Sequence, residues 1–367
     1  MDENAPALDA ILTKKVDEFE FIRKIISGAT ALLLIALSWY AYEIFSGSIA
    51  LYGPGEIVLE QDEIFDELMQ LDQLTGLTGK GVAVCIVDSG VESTHPDLAT
   101  MNLKGWVDFI DDKNEPYDDQ GHGTMMAGIL VADGGLKGIA PNVDLYVAKA
   151  MKKDGTGDDA IVATAIDWCI GENVDIISLS LGGAKGTFDA FLGGDAVEQS
   201  VDDAYDAGIV VIAAAGNDGE NDDGDVGSPG SVESVICVGG VQSNGALWKG
   251  SSVGDNNGQI WPLLLPRNDP DKKPEIVAPA RDVPVIMTGG TWGLADGTSA
   301  STVYVTGAIA LMFEENPQLK DGDSGMIDDL KEWIITTSKM KENQDGHDDH
   351  YGYGMLQMKE LINASSA

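Results

Sequence analysis

Residues 296–313 read DGTSASTVYVTGAIALMF. A Gly-Thr turn is followed by apolar residues at helical spacing, which predicts a helix that begins close to Ser299. The unpaired N–H groups and the dipole at the start of a helix stabilise negative charge, typically by about 0.3–1 kcal/mol. Ser299 is therefore a candidate nucleophile. Serine is also a common N-cap, and this stretch taken alone favours that simpler role.

Short apolar strands alternate with helices upstream of this stretch. The strands are predicted at 82–87, 145–150, 174–181, 209–214 and 235–241, and the helices at 122–131, 160–170 and 195–207. This alternation predicts a mostly parallel sheet flanked by helices on both faces. We interpret residues 76–367 as a single α/β domain.

Three polar residues stand at the boundaries of these elements. Asp88 directly follows the first strand, and ligand-handling residues of an open parallel sheet lie at the carboxyl ends of strands. His122 opens a helix between two glycines. Asn217 follows the fourth strand, where its amide would be placed to donate to a developing oxyanion. Taken singly, Asp88 and Asn217 are ordinary turn residues.

Seven short motifs connect these residues in one order along the chain. They are VDSGV (87–91) with HPDL (95–98), GHGTMMAG (121–128), SLSLGG (178–183), AAGN (214–217), KPEIVAP (273–279), GTS (297–299) and YGYG (351–354). In this order they resemble the subtilisin-like serine proteases, the subtilase (peptidase S8) family. Each motif alone is unspecific, but seven in sequence are a strong signal. The resemblance implies a subtilisin-like fold.

The resemblance also implies a role for each residue. Ser299 would be the nucleophile, His122 the general base and then acid, and Asp88 the carboxylate that orients the imidazole. Asn217 would donate from its side chain to the oxyanion, together with the backbone N–H of Ser299. These roles agree with the chemistry, because a serine hydroxyl is a weak nucleophile until an oriented base removes its proton.

Two short segments resemble the walls of the family's main specificity pocket. Both are built mainly from small residues, which implies a roomy, apolar pocket for the residue that supplies the scissile carbonyl. The residues are Ser180, Leu181, Gly182, Ala214, Ala215 and Gly216.

The chain departs from the family pattern just after the nucleophile. The family usually has Met-Ala-Ala-Pro-His there, whereas residues 300–304 read ASTVY. Val303 thus replaces a proline and Tyr304 a histidine. Neither is a triad position, so we expect altered helix packing and altered leaving-side contacts, with the chemistry retained.

The chemistry implied by the resemblance needs no cofactor. Asp97 matches one calcium-ligand position of the family, but the segment before Gly138 is shorter than the calcium loop of many secreted members. Acidic glycine loops at 221–225, 321–325 and 345–349 are compatible with Ca²⁺, although solvated loops are the favoured interpretation. We therefore predict no metal site.

The cysteines and the remaining histidines give little functional signal. Cys85, Cys169 and Cys237 lie in apolar runs without metal-type spacing, which predicts buried free thiols and no disulfide framework. Outside the motif at 121–128, His95 is interpreted as loop structure. His347 and His350 lie in an acidic loop and are predicted to be solvated.

The N-terminal region predicts a membrane anchor. Residues 25–45 (IISGATALLLIALSWYAYEIF) are apolar over a length that spans a bilayer, with aromatic residues towards the far end. Four basic residues precede this segment and none follows until Lys80, which predicts a cytoplasmic tail at 1–24 and an extracytoplasmic remainder. A cleaved signal peptide and a buried core helix are the weaker alternatives.

Residues 46–75 are predicted to form a stem followed by an amphipathic helix at 58–74. Secreted subtilases usually carry a substantial folding pro-domain ahead of the catalytic domain. Here the domain either folds unaided or uses the helix at 58–74 as a short substitute.

Composition limits the class of partner. The formal net charge is −39 over 367 residues, which argues against nucleic acid and favours neutral or basic polypeptides. The sequence thus predicts a single-pass serine endopeptidase with its catalytic domain outside the cytoplasm. The alternatives are a catalytically silent, peptide-binding subtilase domain and an esterase, but the Gly-x-Ser-x-Gly elbow of esterases is absent around Ser299.

Overall fold

Within the residues that the computed structural model describes, seven parallel strands form the central sheet, in the order β2-β3-β1-β4-β5-β6-β7. The structure describes residues 5–45, 53–181, 195–219, 226–257 and 266–366, with side chains of the first range described from 19 to 42. The strands are β1 Ala83–Asp88, β2 Leu103–Asp108, β3 Asp144–Lys149, β4 Ile176–Leu179, β5 Val210–Ala214, β6 Ile236–Val241, β7 Ile276–Pro279, and an antiparallel hairpin of β8 Val283–Met287 and β9 Thr291–Ala295. The helices are α1 Ala5–Phe45, α2 Glu56–Leu68, α3 His122–Val131, α4 Asp159–Gly171, α5 Ala196–Asp206, α6 Thr298–Glu315, α7 Ser324–Thr337 and α8 Met358–Ala364. The predicted parallel sheet with helices on both faces is confirmed.

The strands bury both faces because their residues alternate between two cores. On β1, Val84 and Ile86 point into one core and Cys85 and Val87 into the other. Helices α3, α6 and α8 cover the first face, whereas α4 and α5 cover the second. Continuous apolar runs, rather than alternating ones, are what such doubly covered strands require.

Helix α6 runs through the first core, and its side chains from Thr298 to Phe313 are buried. The hydroxyl groups in its first half are satisfied inside the protein. Ser301 Oγ lies 3.0 Å from the carbonyl oxygens of both Ala278 and Pro279, and Thr302 donates to the carbonyl of Thr298 at 3.0 Å. The unusual polar residues after Ser299 therefore tie this helix to β7 and to its own first turn.

The predicted amphipathic helix at 58–74 is α2, which ends at Leu68 and is followed by a single 3₁₀ turn at Leu71–Gln73. Phe65 is fully buried and meets Tyr304 edge-to-face, with ring centroids 6.3 Å apart. Tyr304, the residue that replaces the family's histidine, is thus covered by α2. Burial, with repulsion from neighbouring carboxylates, raises the pKa of Asp62 to about 7 and of Asp66 to about 6.

Residues Met1–Gly53 and Pro54–Ala367 form two compact units. In the first, α1 contains a stretch at Phe19–Tyr42 that is long and apolar enough to cross a membrane, and none of that stretch is buried in protein. A signal sequence would satisfy the same criteria of length and composition. The second unit begins ahead of α2, so α2 belongs to the unit that holds the sheet. The domain limits drawn from the sequence stay predictions.

The prediction of three free thiols was wrong for two of them. Cys85 on β1 and Cys169 on α4 are both fully buried and form a disulfide, with Cα atoms 6.0 Å apart. The two cysteines lie 84 residues apart in sequence, so no local spacing signalled the pair. Cys237 is buried elsewhere, on β6 opposite Ala213 of β5.

We predict that reducing this disulfide lowers the free energy of unfolding by about 2–5 kcal/mol, because the cross-link restricts the unfolded chain. The measurement is thermal unfolding of the detergent-solubilised chain with and without dithiothreitol. Dithiothreitol should lower the melting temperature of the wild type and of Cys237→Ala, and leave the double variant Cys85→Ala/Cys169→Ala unchanged. An equal response in all three proteins would contradict the assignment.

Candidate active site

The site lies at the carboxyl edge of the sheet, where β1 stands between β3 and β4. The chain first builds the sheet on one side of β1 and then continues on the other, so the crevice beside β1 is the topological switch point. Asp88 is the last residue of β1 and is fully buried. The strand therefore delivers a carboxylate to the floor of this crevice.

His122, the first residue of α3, meets that carboxylate. Its Nδ1 lies 2.8 Å from Asp88 Oδ1 and 2.9 Å from Oδ2. Because an ionised carboxylate only accepts, Nδ1 carries the proton and Nε2 is left as the basic nitrogen. The imidazole remains 22% exposed, whereas the Asp88 side chain is completely covered.

Burial alone would lower the pKa of His122, but the charge and hydrogen bond of Asp88, with a further contribution from Asp118, raise it above its ordinary value. The imidazolium is thereby stabilised, as a base that must hold a proton during a reaction requires.

Asp118 is a second carboxylate near the imidazole that the sequence analysis missed. Its Oδ1 accepts from Ser89 Oγ at 2.9 Å and from Gly121 N at 2.7 Å, and its Oδ2 accepts from Thr124 N at 2.8 Å and Thr124 Oγ1 at 2.7 Å. Burial would raise the pKa of Asp118, but these hydrogen bonds lower it below its ordinary value. Asp118 thus holds the turn that leads into α3 while remaining ionised.

Ser89 links the two carboxylates. Besides donating to Asp118, its hydroxyl accepts from Gly123 N at 2.8 Å, and its own N–H donates to Asp88 Oδ1 at 2.6 Å. Close packing explains the glycine after the histidine, since a Cβ on Gly123 would lie 2.2 Å from the carbonyl oxygen of Gly90. The motifs at 87–91 and 121–128 therefore form one hydrogen-bonded unit.

Ser299 is the second residue of α6 and is 8% exposed. Its hydroxyl donates to the carbonyl of Ser180 at 3.1 Å, and Ser180 Oγ donates back to the carbonyl of Ser299 at 3.1 Å. The end of β4 is thereby joined to the start of α6. As the second residue of a helix, Ser299 has an N–H that finds no partner within the helix.

Asn217 is held beside that N–H by Thr298. Its Oδ1 accepts from Thr298 N at 2.9 Å and from Thr298 Oγ1 at 3.0 Å. The amide oxygen is therefore engaged, and the NH₂ group is the end available to a ligand. A Cβ built on Gly297 would lie 3.6 Å from Asn217 Nδ2 and 3.8 Å from Ser299 N, so both donors border the same point.

These groups border one cavity of about 420 Å³. His122, Asn217 and Ser299 line it together, as do four predicted pocket residues, Ser180, Leu181, Ala214 and Gly216. Ala215 is fully buried and is not among the lining residues. Gly182 lies outside the described residues.

Two other histidines, His95 and His347, have structural surroundings. His95 Nε2 lies 3.1 Å from the carbonyl oxygen of Thr291, and its Nδ1 accepts from Asp97 N at 3.1 Å, in agreement with a loop role. The prediction that His347 is solvated was wrong. Its side chain is 3% exposed, donates to the carbonyl of Pro274 at 2.9 Å and stacks edge-to-face on Tyr353.

The residue that matches a family calcium ligand does not fit a cation here. Asp97 is buried, and its carboxylate accepts from Gly135 N at 2.8 Å, Leu136 N at 2.9 Å and Trp292 Nε1 at 2.6 Å. Three N–H donors thus occupy the place that a cation would need. Within the described ranges, no group of three or more His, Cys, Asp or Glu side chains is arranged to hold a metal ion. The loop at 221–225 falls outside those ranges.

A buried carboxylate, an oriented imidazole, a serine at a helix start and two adjacent N–H donors are the components of nucleophilic acyl transfer. Residues 79–354 match the model of the subtilase family, Peptidase_S8, and the chain belongs to that family.

Individual relatives agree with this membership. The chain is 36% identical to subtilisin NAT of Bacillus subtilis subsp. natto over 247 residues, which are 66% of this chain and 58% of that protein. It is 32% identical to the serine protease AprX of Bacillus subtilis (strain 168) over 312 residues, covering 78% of this chain and 67% of AprX. A crystal structure of a cold-adapted subtilisin-like serine proteinase superposes with a TM-score of 0.59 at 23% identity, over 78% of this chain and 91% of that one, which shows the shared fold.

Proposed function

We propose that this protein is a membrane-anchored serine endopeptidase that hydrolyses peptide bonds through an acyl-enzyme. The observation that carries the proposal is the meeting of the Asp88–His122 pair, Ser299 and Asn217 around one cavity. The chain spans 58% of the length of the subtilisin relative described above. The proposal of peptidase activity therefore rests on this geometry as well as on similarity.

In the proposed reaction, the Ser299 hydroxyl turns from the Ser180 carbonyl towards His122 Nε2, which removes its proton as Oγ attacks the substrate carbonyl. Asp88 stabilises the imidazolium that forms. His122 then protonates the leaving amine, and a water molecule repeats the sequence in reverse to release the acid. Catalytic hydrogen bonds of this kind commonly tighten only when substrate is bound.

The oxyanion that forms in each step would sit against Asn217 Nδ2 and the N–H of Ser299. Thr298 fixes the amide through two hydrogen bonds to its oxygen, so the donor is oriented before the charge develops. Such preorganisation lowers the barrier because little reorganisation remains for the reaction step.

The proposed location follows from α1 and from the disulfide. Four basic residues precede the apolar stretch and none follows it until Lys80, which favours a cytoplasmic N-terminus. A buried disulfide in the sheet domain is typical of oxidising compartments outside the cytoplasm. Both observations support a single-pass anchor with the catalytic domain on the outer side.

The first test is labelling of the detergent-solubilised chain with a fluorophosphonate probe, which reacts with an activated serine. We expect labelling of the wild type and none of Ser299→Ala, which lacks the hydroxyl that the probe modifies. His122→Ala should react at least about 10³-fold more slowly, since the triad acts as a unit. Circular dichroism of each variant provides the control for folding. A folded wild type that takes up no label would favour the silent, peptide-binding alternative.

Asn217→Ala should lower kcat by about 10²–10³-fold with little change in KM, because the amide contact strengthens only as the oxyanion forms. The measurement is steady-state hydrolysis of a peptide p-nitroanilide. Asn244→Ala, an exposed loop substitution, serves as the matched control. A rise in KM at constant kcat would contradict the oxyanion role.

Activity should fall as the pH drops through the pKa of His122, because only the neutral imidazole accepts the serine proton. Asp118→Asn removes a negative charge that raises this pKa, so the acid limb of the kcat/KM profile should move to lower pH. Ser89→Ala disturbs the same network without removing charge. It should reduce kcat by up to about a hundredfold and leave the acid limb in place. An unmoved limb in Asp118→Asn would show that its charge does not reach the imidazole.

A further inference from the structure

The cavity beside Ser299 has a compartment between two neighbouring strands. Ser180 and Leu181 follow β4, and Ala214 and Gly216 end and follow β5, which pairs with β4. Since Ser299 Oγ contacts the Ser180 carbonyl, a substrate carbonyl attacked by Ser299 lies at the entrance to this compartment. The side chain of the residue that supplies the carbonyl, the P1 residue, would enter it.

Two of the carboxylates that line the cavity belong to the part of the chain that runs from β4 to just after β5. Asp195 is the N-cap of α5 and is half-buried, and Asp218 directly follows Asn217 and is exposed. The third lining carboxylate, Asp159, starts α4, which follows β3 on the opposite side of β1. Among the described residues that line the cavity, none is lysine or arginine.

Asp195 is held in place by its neighbours. Its Oδ1 accepts from Val197 N at 2.9 Å, which caps α5, and its Oδ2 lies 3.5 Å from Ser228 Oγ. Val197 and Ser228 also line the cavity. Ser228 Oγ lies 3.3 Å from Glu198 Oε1 as well, so two carboxylates converge on one hydroxyl at the lining of the compartment. A fixed carboxylate of this kind loses little entropy when it binds a cation.

We infer that Asp195 and Asp218 make this compartment select lysine or arginine at P1. The inference rests on the proposed peptidase function. The small and apolar walls accept the aliphatic stem of such a side chain, and the carboxylates receive its charged end. Acidic P1 residues are disfavoured by the same charges. The apolar walls predicted from the sequence therefore describe only part of the compartment.

The overall negative charge of the protein would attract any basic peptide at long range, so the test must separate local from global charge. Asp195→Asn keeps the N-cap, because asparagine caps helices as well as aspartate does. Asp159→Asn is the matched control, since it changes the net charge equally on the other side of β1. Asp218→Asn and the double variant Asp195→Asn/Asp218→Asn complete the set.

The experiment measures kcat/KM of the detergent-solubilised full chain for succinyl-Ala-Ala-Pro-Xaa-p-nitroanilides in which Xaa is lysine, norleucine or glutamate. Norleucine has the lysine stem without the ammonium group. We expect the wild type to prefer lysine over norleucine about tenfold, as a charged hydrogen bond contributes. The preference should nearly vanish in Asp195→Asn, fall by about threefold in the exposed Asp218→Asn, and persist in Asp159→Asn.

The norleucine substrate and fluorophosphonate labelling report on the peptidase itself. If both work while norleucine is cleaved as well as lysine in the wild type, the inference is wrong and the proposed function stands. A lysine preference that survives in the double variant would also overturn it. If neither substrate is cleaved and no label is taken up, the proposed function fails and the inference falls with it.

Discussion

The contact between Asp88 and His122 depends on the register of a parallel sheet. β1 ends at Asp88 in line with Lys149 on β3, and β4 runs alongside on the other side. The carboxyl ends of these strands therefore lie at the same edge of the sheet, where residues distant in sequence meet. Lys149 is itself fully buried and donates to the Ser89 carbonyl at 2.6 Å and to Asp119 at 2.8 Å. The neighbour that sets the register also fixes the backbone next to the carboxylate.

The sequence predicted most of this framework because the doubly covered strands are unbroken apolar runs. The helix at His122–Val131 was placed at its observed limits, and β1 and β5 to within one residue. β2 was not predicted, since its burial is partial and its sequence LKGWVD carries no clear period. Of the four residues expected at the site, His122, Asn217 and Ser299 line one cavity and Asp88 contacts His122. Their catalytic roles stay predictions.

What the sequence did not reveal depends on contacts between distant residues. Asp118 looks like one more acid in an acidic loop, and only the folded turn shows that its two oxygens receive Ser89, Gly121 and Thr124. The Cys85–Cys169 pair is similarly hidden, because it joins a strand to a helix across the second core. Pairings of this kind are set by topology, which local patterns do not encode.

The motif at 273–279 lies away from the candidate active site and contains a buried ion pair. Lys273 and Glu275, both fully buried, pair at 2.6 Å, and Glu275 also accepts from Cys237 N at 2.8 Å. Burial lowers the pKa of Lys273, and the charge of Glu275 opposes that shift. Removing Glu275 would leave the buried Lys273 ammonium without its carboxylate, which commonly costs about 3–5 kcal/mol. Glu275 has a second buried partner, because its Oε1 also lies 3.5 Å from Lys331 Nζ.

This pair anchors the start of β7, and the end of β7 positions Ser299, the proposed nucleophile. The carbonyl of Ala280 accepts from Gly297 N at 2.7 Å, and the carbonyls of Ala278 and Pro279 accept from Ser301. Ser299 is thus held between Gly297, which is tied to the residue that follows β7, and Ser301, which is tied to the last two residues of β7. The motif at 273–279 contains no reacting group, yet its buried ion pair stabilises the strand against which the start of α6 is placed.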